Sequence, residues 1–309
     1  MMNDKVKTMN VSVKFDSVSG KFVGSLNGKV VVRSVGKAYV ERRLEEMAGS
    51  KLDFVTAEKN REERAEQFGI NARFGFVEKL VSMVATGVQP SAVITGEGGL
   101  GKTYTVTKTL ETNGYSDISD LAEFQVGTVL NARKCFTTVK GYSTAKGLYR
   151  TLFENNKSVI VFDDCDAILK DPVALNILKS ALDSYGKRII SWNADMRDDD
   201  LPRSFNFEGR VIFISNMTQD KIDQAIRSRS MMIDLSMTAD QKIDRMEYIA
   251  KSDEFMPEYD EEVKMDALGL IRELRNEAKE ISLRTLIAVS KIRASNKDWK
   301  DLATYMLTA

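Results

Sequence analysis

The chain has 309 residues, with 45 Lys plus Arg balanced by 45 Asp plus Glu, two cysteines and no histidine. Balanced charge singles out no acidic or basic partner, and the lack of histidine excludes Ser-His-Asp triads, imidazole bases and imidazole metal ligands. Cys135 and Cys165 lie in apolar runs without metal-ligand spacing, no apolar run approaches a membrane span, and "MMNDKVKTMN" lacks an apolar leader, so a reduced, cytoplasmic protein is expected.

In "MNVSVKFD", Met9, Val11, Val13 and Phe15 alternate with polar residues, the period of a half-buried strand. "FVGSL" and "VVVRS" flank Asn27-Gly28, a dipeptide that favours a tight hairpin turn. "KAYVERRLEEMAG" then aligns Val40, Leu44 and Met47 on one helical face, with Gly49 as a stop. Residues 1–50 thus form a small βββα module. Its cations, among them Lys5, Lys7, Lys14, Lys21, Lys29, Arg33, Lys37, Arg42 and Arg43, suit either a phosphate-tracking face or an ordinary solvated one. Residues 51–70 are charged and read as an exposed helical linker.

From Asn71 onward Phe74, Val77, Leu80, Val81 and Val84 share a helical face that Gly87 ends. The apolar runs "SAVITG", "CFTTV", "SVIVFDD", "RIISWN" and "RVIFISN" follow, separated by helix-length segments. Strands alternating with helices predict an α/β domain over residues 71–237, a mostly parallel sheet sandwiched by helices. After "MMIDLSM" the pattern is helical only, opened by a capping box at Thr238 and Gln241, so residues 238–309 form an all-α lid.

Gly96, Glu97, Gly98, Gly99, Leu100, Gly101, Lys102 and Thr103 match G-x-x-x-x-G-K-[ST], with a strand before them and a helix after them, and Tyr104 joins them as a candidate nucleotide-binding residue. The glycines let backbone N–H groups turn inward around phosphates, Lys102 neutralises β- and γ-phosphate charge, and the Thr103 hydroxyl ligates Mg²⁺. "SVIVFDDCD" supplies Asp163 at the carboxyl end of a buried strand as the metal-side carboxylate. Asp164 is the candidate for polarising an attacking water; the alternative is that Asp164 or Asp166 caps a helix over "AILKDPVALNILKSAL".

Taken in order these motifs resemble the AAA+ ATPases of the P-loop NTPase superfamily, over roughly residues 60–309. The resemblance implies ATP and Mg²⁺ as ligands and Asn216, ending "RVIFISN", as the sensor-1 residue. It further implies an arginine finger in "DQAIRSRSMMIDL", Arg229 first and Arg227 second, and Arg284 in "ISLRTLIAVSKI" as the sensor-2 arginine. A finger supplied to a neighbour implies a homo-oligomeric ring, a hexamer by family likeness. Family members usually carry Asp-Glu where this chain has Asp163-Asp164, and the shorter carboxylate implies slow hydrolysis. "KGYSTAKGLYRTLFEN", "FDDCDAILKDPVALNILK" and "LPRSFNFEGRVIFISN" resemble AAA-type ATPases of large tailed bacteriophages, which implies the host cytoplasm.

Three uses of such an engine follow. The first is nucleic-acid metabolism, as a helicase, loader or motor. The second is protein unfolding, with Tyr142 in "VKGYSTAKG" gripping a polypeptide in the pore and Lys140 beside it suited to DNA. The third is a nucleotide-ordered scaffold without turnover. The stretch "RIISWNADMRDDDLPRSFNFEGR" resembles the hairpin that one family branch inserts before sensor 1, a branch that holds both DNA motors and unfoldases.

Overall fold

The computed structural model describes residues 11–16, 19–26, 29–48, 68–119, 134–141, 143–184, 186–193 and 201–309. The Asn27-Gly28 turn and most of the 51–70 linker lie outside the described residues. Two compact units are present, Met1–Phe68 and Gly69–Ala309.

In the first unit β1 (Val11–Asp16), β2 (Lys21–Leu26) and β3 (Lys29–Ser34) form an antiparallel sheet in that order. Helix α1 (Lys37–Ala48) covers it. Gly24 is where helix and sheet meet: a Cβ there would lie 2.7 Å from Val40 and 2.9 Å from Leu44, inside van der Waals contact. Val40 and Leu44 are fully buried, whereas Met47, expected on the same face, is 52% exposed. The small sheet covers the helix at its first two apolar positions and leaves the last turn to solvent.

The second unit opens with α2 (Ile70–Thr86), whose Phe74, Val77, Leu80, Val81 and Val84 are all buried. Gly87 ends it in the left-handed conformation, φ 82°, with its N–H returned to the last carbonyls. There follow β4 (Ser91–Thr95), α3 (Lys102–Thr112), β5 (Ser116–Asp117), β6 (Cys135–Lys140), α4 (Ala145–Glu154), β7 (Val159–Asp163) and α5 (Pro172–Ala181). Then come β8 (Ile189–Ser191), β9 (Ser204–Asn206), β10 (Arg210–Ser215), α6 (Gln224–Arg229) and β11 (Met231–Asp234). Only helices follow: α7 (Ala239–Ala250), α8 (Glu261–Glu273), α9 (Leu283–Ser295) and α10 (Trp299–Thr308).

The main sheet is six-stranded in the order β11-β4-β10-β7-β6-β5, and its strand pairings are all parallel among the described residues. Alternate residues of the central strands supply opposite faces, as the two-residue strand period requires. Ala92, Ile94, Val159, Val161, Ile212 and Ile214 pack with α2 and α3, while Val93, Ile160, Phe162, Val211 and Phe213 pack with α4 and α5. The first of these cores runs without a break into the C-terminal helices through Ile243, Met246, Leu268, Ile271, Leu286 and Val289. Burial of that shared surface, at about 25 cal/mol per Å² of apolar area, seats the helices against the sheet beside its phosphate loop.

The structure departs from the sequence expectations at two further places. "RIISWN" does not join the parallel sheet; its Ile189–Ser191 pairs antiparallel with Ser204–Asn206 as a separate two-stranded ribbon, in keeping with the hairpin expected before Asn216. Aromatic packing fixes that ribbon to α4, since Tyr149 lies 5.7 Å from Trp192 and 5.3 Å from Phe205 between ring centroids. The helix expected from Asp164 or Asp166 begins instead at Pro172, because Asp171 accepts from Val173 N at 2.7 Å and Ala174 N at 3.1 Å. Pro172 follows it, pre-set for a helix start. Asp164 is thereby free of any capping role.

Candidate functional site

The loop between β4 and α3 winds through left-handed backbone at Gly96 (φ 134°), Gly99 (φ 79°) and Gly101 (φ 91°). Glycine is required at two of these on steric grounds as well. A Cβ on Gly96 would lie 2.8 Å from the Leu235 carbonyl carbon, and one on Gly99 would lie 3.0 Å from Ser282 Cβ. Leu100 is buried and anchors the loop to the core.

Lys102, the first residue of α3, is almost wholly buried and donates to Gly96 O, Glu97 O at 2.7 Å and Asn216 Oδ1 at 2.9 Å. Burial pushes its ammonium below the usual lysine range, against the opposing pull of Asp164, Asp163, Asp166 and Glu97. Thr103 Oγ1 lies 3.1 Å from each carboxylate oxygen of Asp163. Burial holds the Asp163 carboxyl above the ordinary range although the Thr103 hydrogen bond works the other way. Lys140, paired with Asp163 in the β6–β7 register, brings its ammonium to 4.0 Å from Asp163 Oδ2.

Asn216 ties two parts of the site together. Its Oδ1 accepts from Lys102, and its Nδ2 donates to Asp164 Oδ1 at 2.7 Å. Asp164 itself sits at φ 55°, a left-handed conformation that costs a non-glycine residue about 1–3 kcal/mol. Its N–H is held by Ile214 O at 3.0 Å, so the neighbouring strand imposes the strained turn that presents the carboxylate to Asn216. Two residues on, Asp166 accepts from Ser215 Oγ at 2.6 Å. Cys165, between them, has its thiol pushed up to about 11 by burial, which favours the neutral form.

The C-terminal helices close over the loop at several points. Leu283 N donates to Gly99 O at 2.8 Å, Lys242 pairs closely with Glu97, and Tyr104 OH donates to Glu254 Oε2 at 2.5 Å. Lys108 joins the same carboxylate at 3.3 Å. Gly98 lies against Asn216 at ordinary contact distance. Arg284 stands exposed in the first turn of α9, two residues after the Ser282 that faces Gly99. The two finger candidates differ: Arg227 is exposed, whereas Arg229 folds back to donate to Ala225 O at 3.1 Å. Tyr142 lies outside the described residues.

Beside Gly101 and Tyr104 a cavity of about 750 Å³ opens between α2, α3 and the C-terminal helices, lined in part by Asn71, Phe74, Arg245 and Leu283. Arg245 stacks 3.7 Å over the Phe74 ring, donates to Asn71 Oδ1 at 3.0 Å, and has a buried Nε with no partner. Burial lowers its pKa to about 10. The sequence offers Phe74 only as a core residue and Arg245 only as a charge within a helical period. Their convergence depends on α7 folding back against α2.

Residues 92–237 match the family model of the ATPase family associated with various cellular activities (AAA). The likeness to that family covers this segment, a little under half of the chain. The match begins at the second residue of β4 and ends just past β11, so it spans the phosphate loop, Asp163, Asn216 and both finger candidates. Over 254 residues the chain is 28% identical to the Enterobacteria phage T4 uncharacterized 36.7 kDa protein of the nrdC-mobD intergenic region, covering 76% of this chain and 73% of that one. Among solved structures, a RuvB variant of Thermotoga maritima aligns at TM-score 0.45 and 13% identity, covering 75% of this chain and 69% of the other. No helix among the described residues is long and apolar enough to cross a membrane.

The donor set around the phosphate loop suits Mg²⁺. Among the described residues no cluster of His, Cys, Asp and Glu forms a self-sufficient metal cage. Magnesium does not need one, since it commonly takes one or two protein oxygens and completes its shell with phosphate and water. Thr103 and Asp163 supply two such oxygens side by side.

Proposed function

We propose that the chain is an ATPase in which Gly96 to Thr103 hold the triphosphate and Asp164 activates the attacking water. The observation that carries this reading is the Lys102–Asn216–Asp164 chain of hydrogen bonds, which joins the phosphate-binding cation to the carboxylate best placed for proton transfer. Thr103 and Asp163 would hold Mg²⁺, which when bound supplies positive charge to the β- and γ-phosphates. Lys102 binds the same phosphates as a point charge, and its low-dielectric surroundings strengthen that attraction. Asp164 accepts the water proton, and Asn216 orients both partners. The nucleobase enters the cavity beside Tyr104, against Phe74 and the Arg245 guanidinium.

A neighbouring copy completes the site by delivering an arginine, in a ring-shaped homo-oligomer, most simply a hexamer. Exposure favours Arg227 as that group, with Arg229 holding the short helix α6 together. Arg284, at the start of α9, acts within the same chain. For the target of this motor, nucleic acid is favoured by the first unit, where Lys21, Lys29 and Arg33 are all exposed on a three-stranded sheet. The chain works in the cytoplasm of a host cell on this reading.

The test is steady-state phosphate release together with nucleotide binding. Lys102→Ala is expected to lose binding, whereas Asp164→Asn keeps binding within a few-fold and loses turnover by at least about 100-fold. Equal loss of binding in both variants would refute the division of roles. Stimulation of the parent by single-stranded or duplex DNA that fades with salt supports the nucleic-acid target; stimulation by unfolded protein alone refutes it.

A further inference from the structure

At the opposite end of the parallel sheet a second cavity, of about 530 Å³, lies between the C-terminal ends of α2 and α3 and the start of β10. Among the described residues Lys134, Lys157 and Arg210 line it, with Glu208 as the one carboxylate. Its net charge is therefore positive, and it lies far along the strands from the loop that grips the triphosphate.

Cations at helix C-termini need no ligand to explain them, because helix carbonyls attract them. Arg210 has that role: it donates to Ala85 O at 2.9 Å and to the Tyr115 hydroxyl at 2.7 Å. The two lysines do not. Among the described residues neither ammonium donates a hydrogen bond, and the ion pair they make is a loose one, Lys157 to Glu208 at 3.9 Å. Both lysines also stand on strained backbone, Lys134 at φ 60° and Lys157 at φ 84°. Left-handed backbone at a lysine costs about 1–2 kcal/mol that glycine would avoid. The described non-glycine residues with positive φ are Lys134, Lys157, Asp164 and Met256. One of these is in the ATP site, and two converge on this cavity. Two exposed lysines on strained backbone thus line one basic cavity, as donors held ready for an anion would.

We propose that this cavity is a second phosphate-binding site, in which Lys134 and Lys157 clamp a phosphate group over the fixed Arg210 guanidinium. The group comes from a free phosphate compound or from a nucleic-acid backbone, which share this chemistry. The experiment uses full-length Lys102→Ala chain, so that the first phosphate site does not contribute, with and without the pair Lys134→Gly and Lys157→Gly. Pyrophosphate binding is followed by calorimetry, and a labelled single-stranded oligonucleotide by anisotropy at low salt. A loss of at least about 10-fold in affinity for either probe in the glycine pair is expected, since two of the three cations are gone. Loss for the oligonucleotide identifies the backbone as the source; loss for pyrophosphate alone identifies a free compound. The glycine pair should also melt no lower than its parent, because the strain is relieved while the fold is kept. Unchanged affinity for both probes, binding of neither by the parent, or a clearly lower melting temperature in the pair would overturn the proposal.

Discussion

Gly99→Ala tests whether the C-terminal helices and the phosphate loop are one mechanical unit. The added methyl faces two costs. Backbone at φ 79° is left-handed, worth about 1–2 kcal/mol against an L-residue. The methyl carbon would also stand 3.0 Å from Ser282 Cβ, and Ser282 is buried, with its Oγ capping α9 by accepting from Thr285 N. Relief requires α9 to back away, which breaks the Leu283 N to Gly99 O bond, worth about 1 kcal/mol. The sum is about 2–3 kcal/mol, and for a unit the size of Gly69–Ala309 it lowers Tm by about 4–12 °C. Gly98→Ala is the control, because its φ is ordinary and its nearest neighbour, Asn216 Oδ1, is at 3.6 Å. Thermal unfolding by calorimetry, with and without ATP and Mg²⁺, reads both variants. Gly99→Ala should also lose part of the ATP-induced rise in Tm, since closure of α9 over the loop is impaired. A Gly99→Ala protein that melts within a degree of the parent, or a Gly98→Ala protein destabilised as much, would refute the coupling.

Two further outcomes follow from the same geometry. Arg245→Met removes a guanidinium whose pKa burial lowers to about 10, a penalty of about 3 kcal/mol carried in full below pH 10 and relieved as pH rises through 10. The loss of ring stacking and of the Asn71 bond costs about 1 kcal/mol each, so the variant should melt slightly above the parent at pH 7–9, by an advantage that shrinks above pH 10; a lower Tm at neutral pH would refute this. In mixtures of subunits, Arg227→Ala protein combined with Asp164→Asn protein should recover phosphate release that neither has alone, because an intact arginine meets an intact site at some interfaces. No recovery would argue against a finger shared between subunits, and recovery by Arg229→Ala but not Arg227→Ala would reverse the assignment.

Features that depend on residues close in sequence are legible in the sequence alone. The helix of residues 70–86 is readable from its periodic apolar face and from Gly87, whose left-handed backbone ends it. The capping box of Thr238 and Gln241 is a local exchange of hydrogen bonds across one turn, and it forms. The phosphate loop is legible because its glycines answer a backbone demand within a few residues. Met47 and "RIISWN" mislead for the complementary reason: periodicity says which way a residue faces, and says nothing of whether a partner element is there to meet it.

By itself the sequence determined the alternation of strands and helices, the strands that are apolar throughout and therefore central, and the residues from Gly96 to Thr103 that can wrap phosphate. Tertiary structure alone decided which carboxylate caps α5, which arginine stays exposed, and that Arg245 lies over Phe74. It also brought Lys134 and Lys157 to one cavity, through φ angles that no residue preference announces. The physical reason is range. Turns, caps and periodicities are settled by energies acting over a few residues, whereas burial, strain and the meeting of distant charges are set by the packed whole.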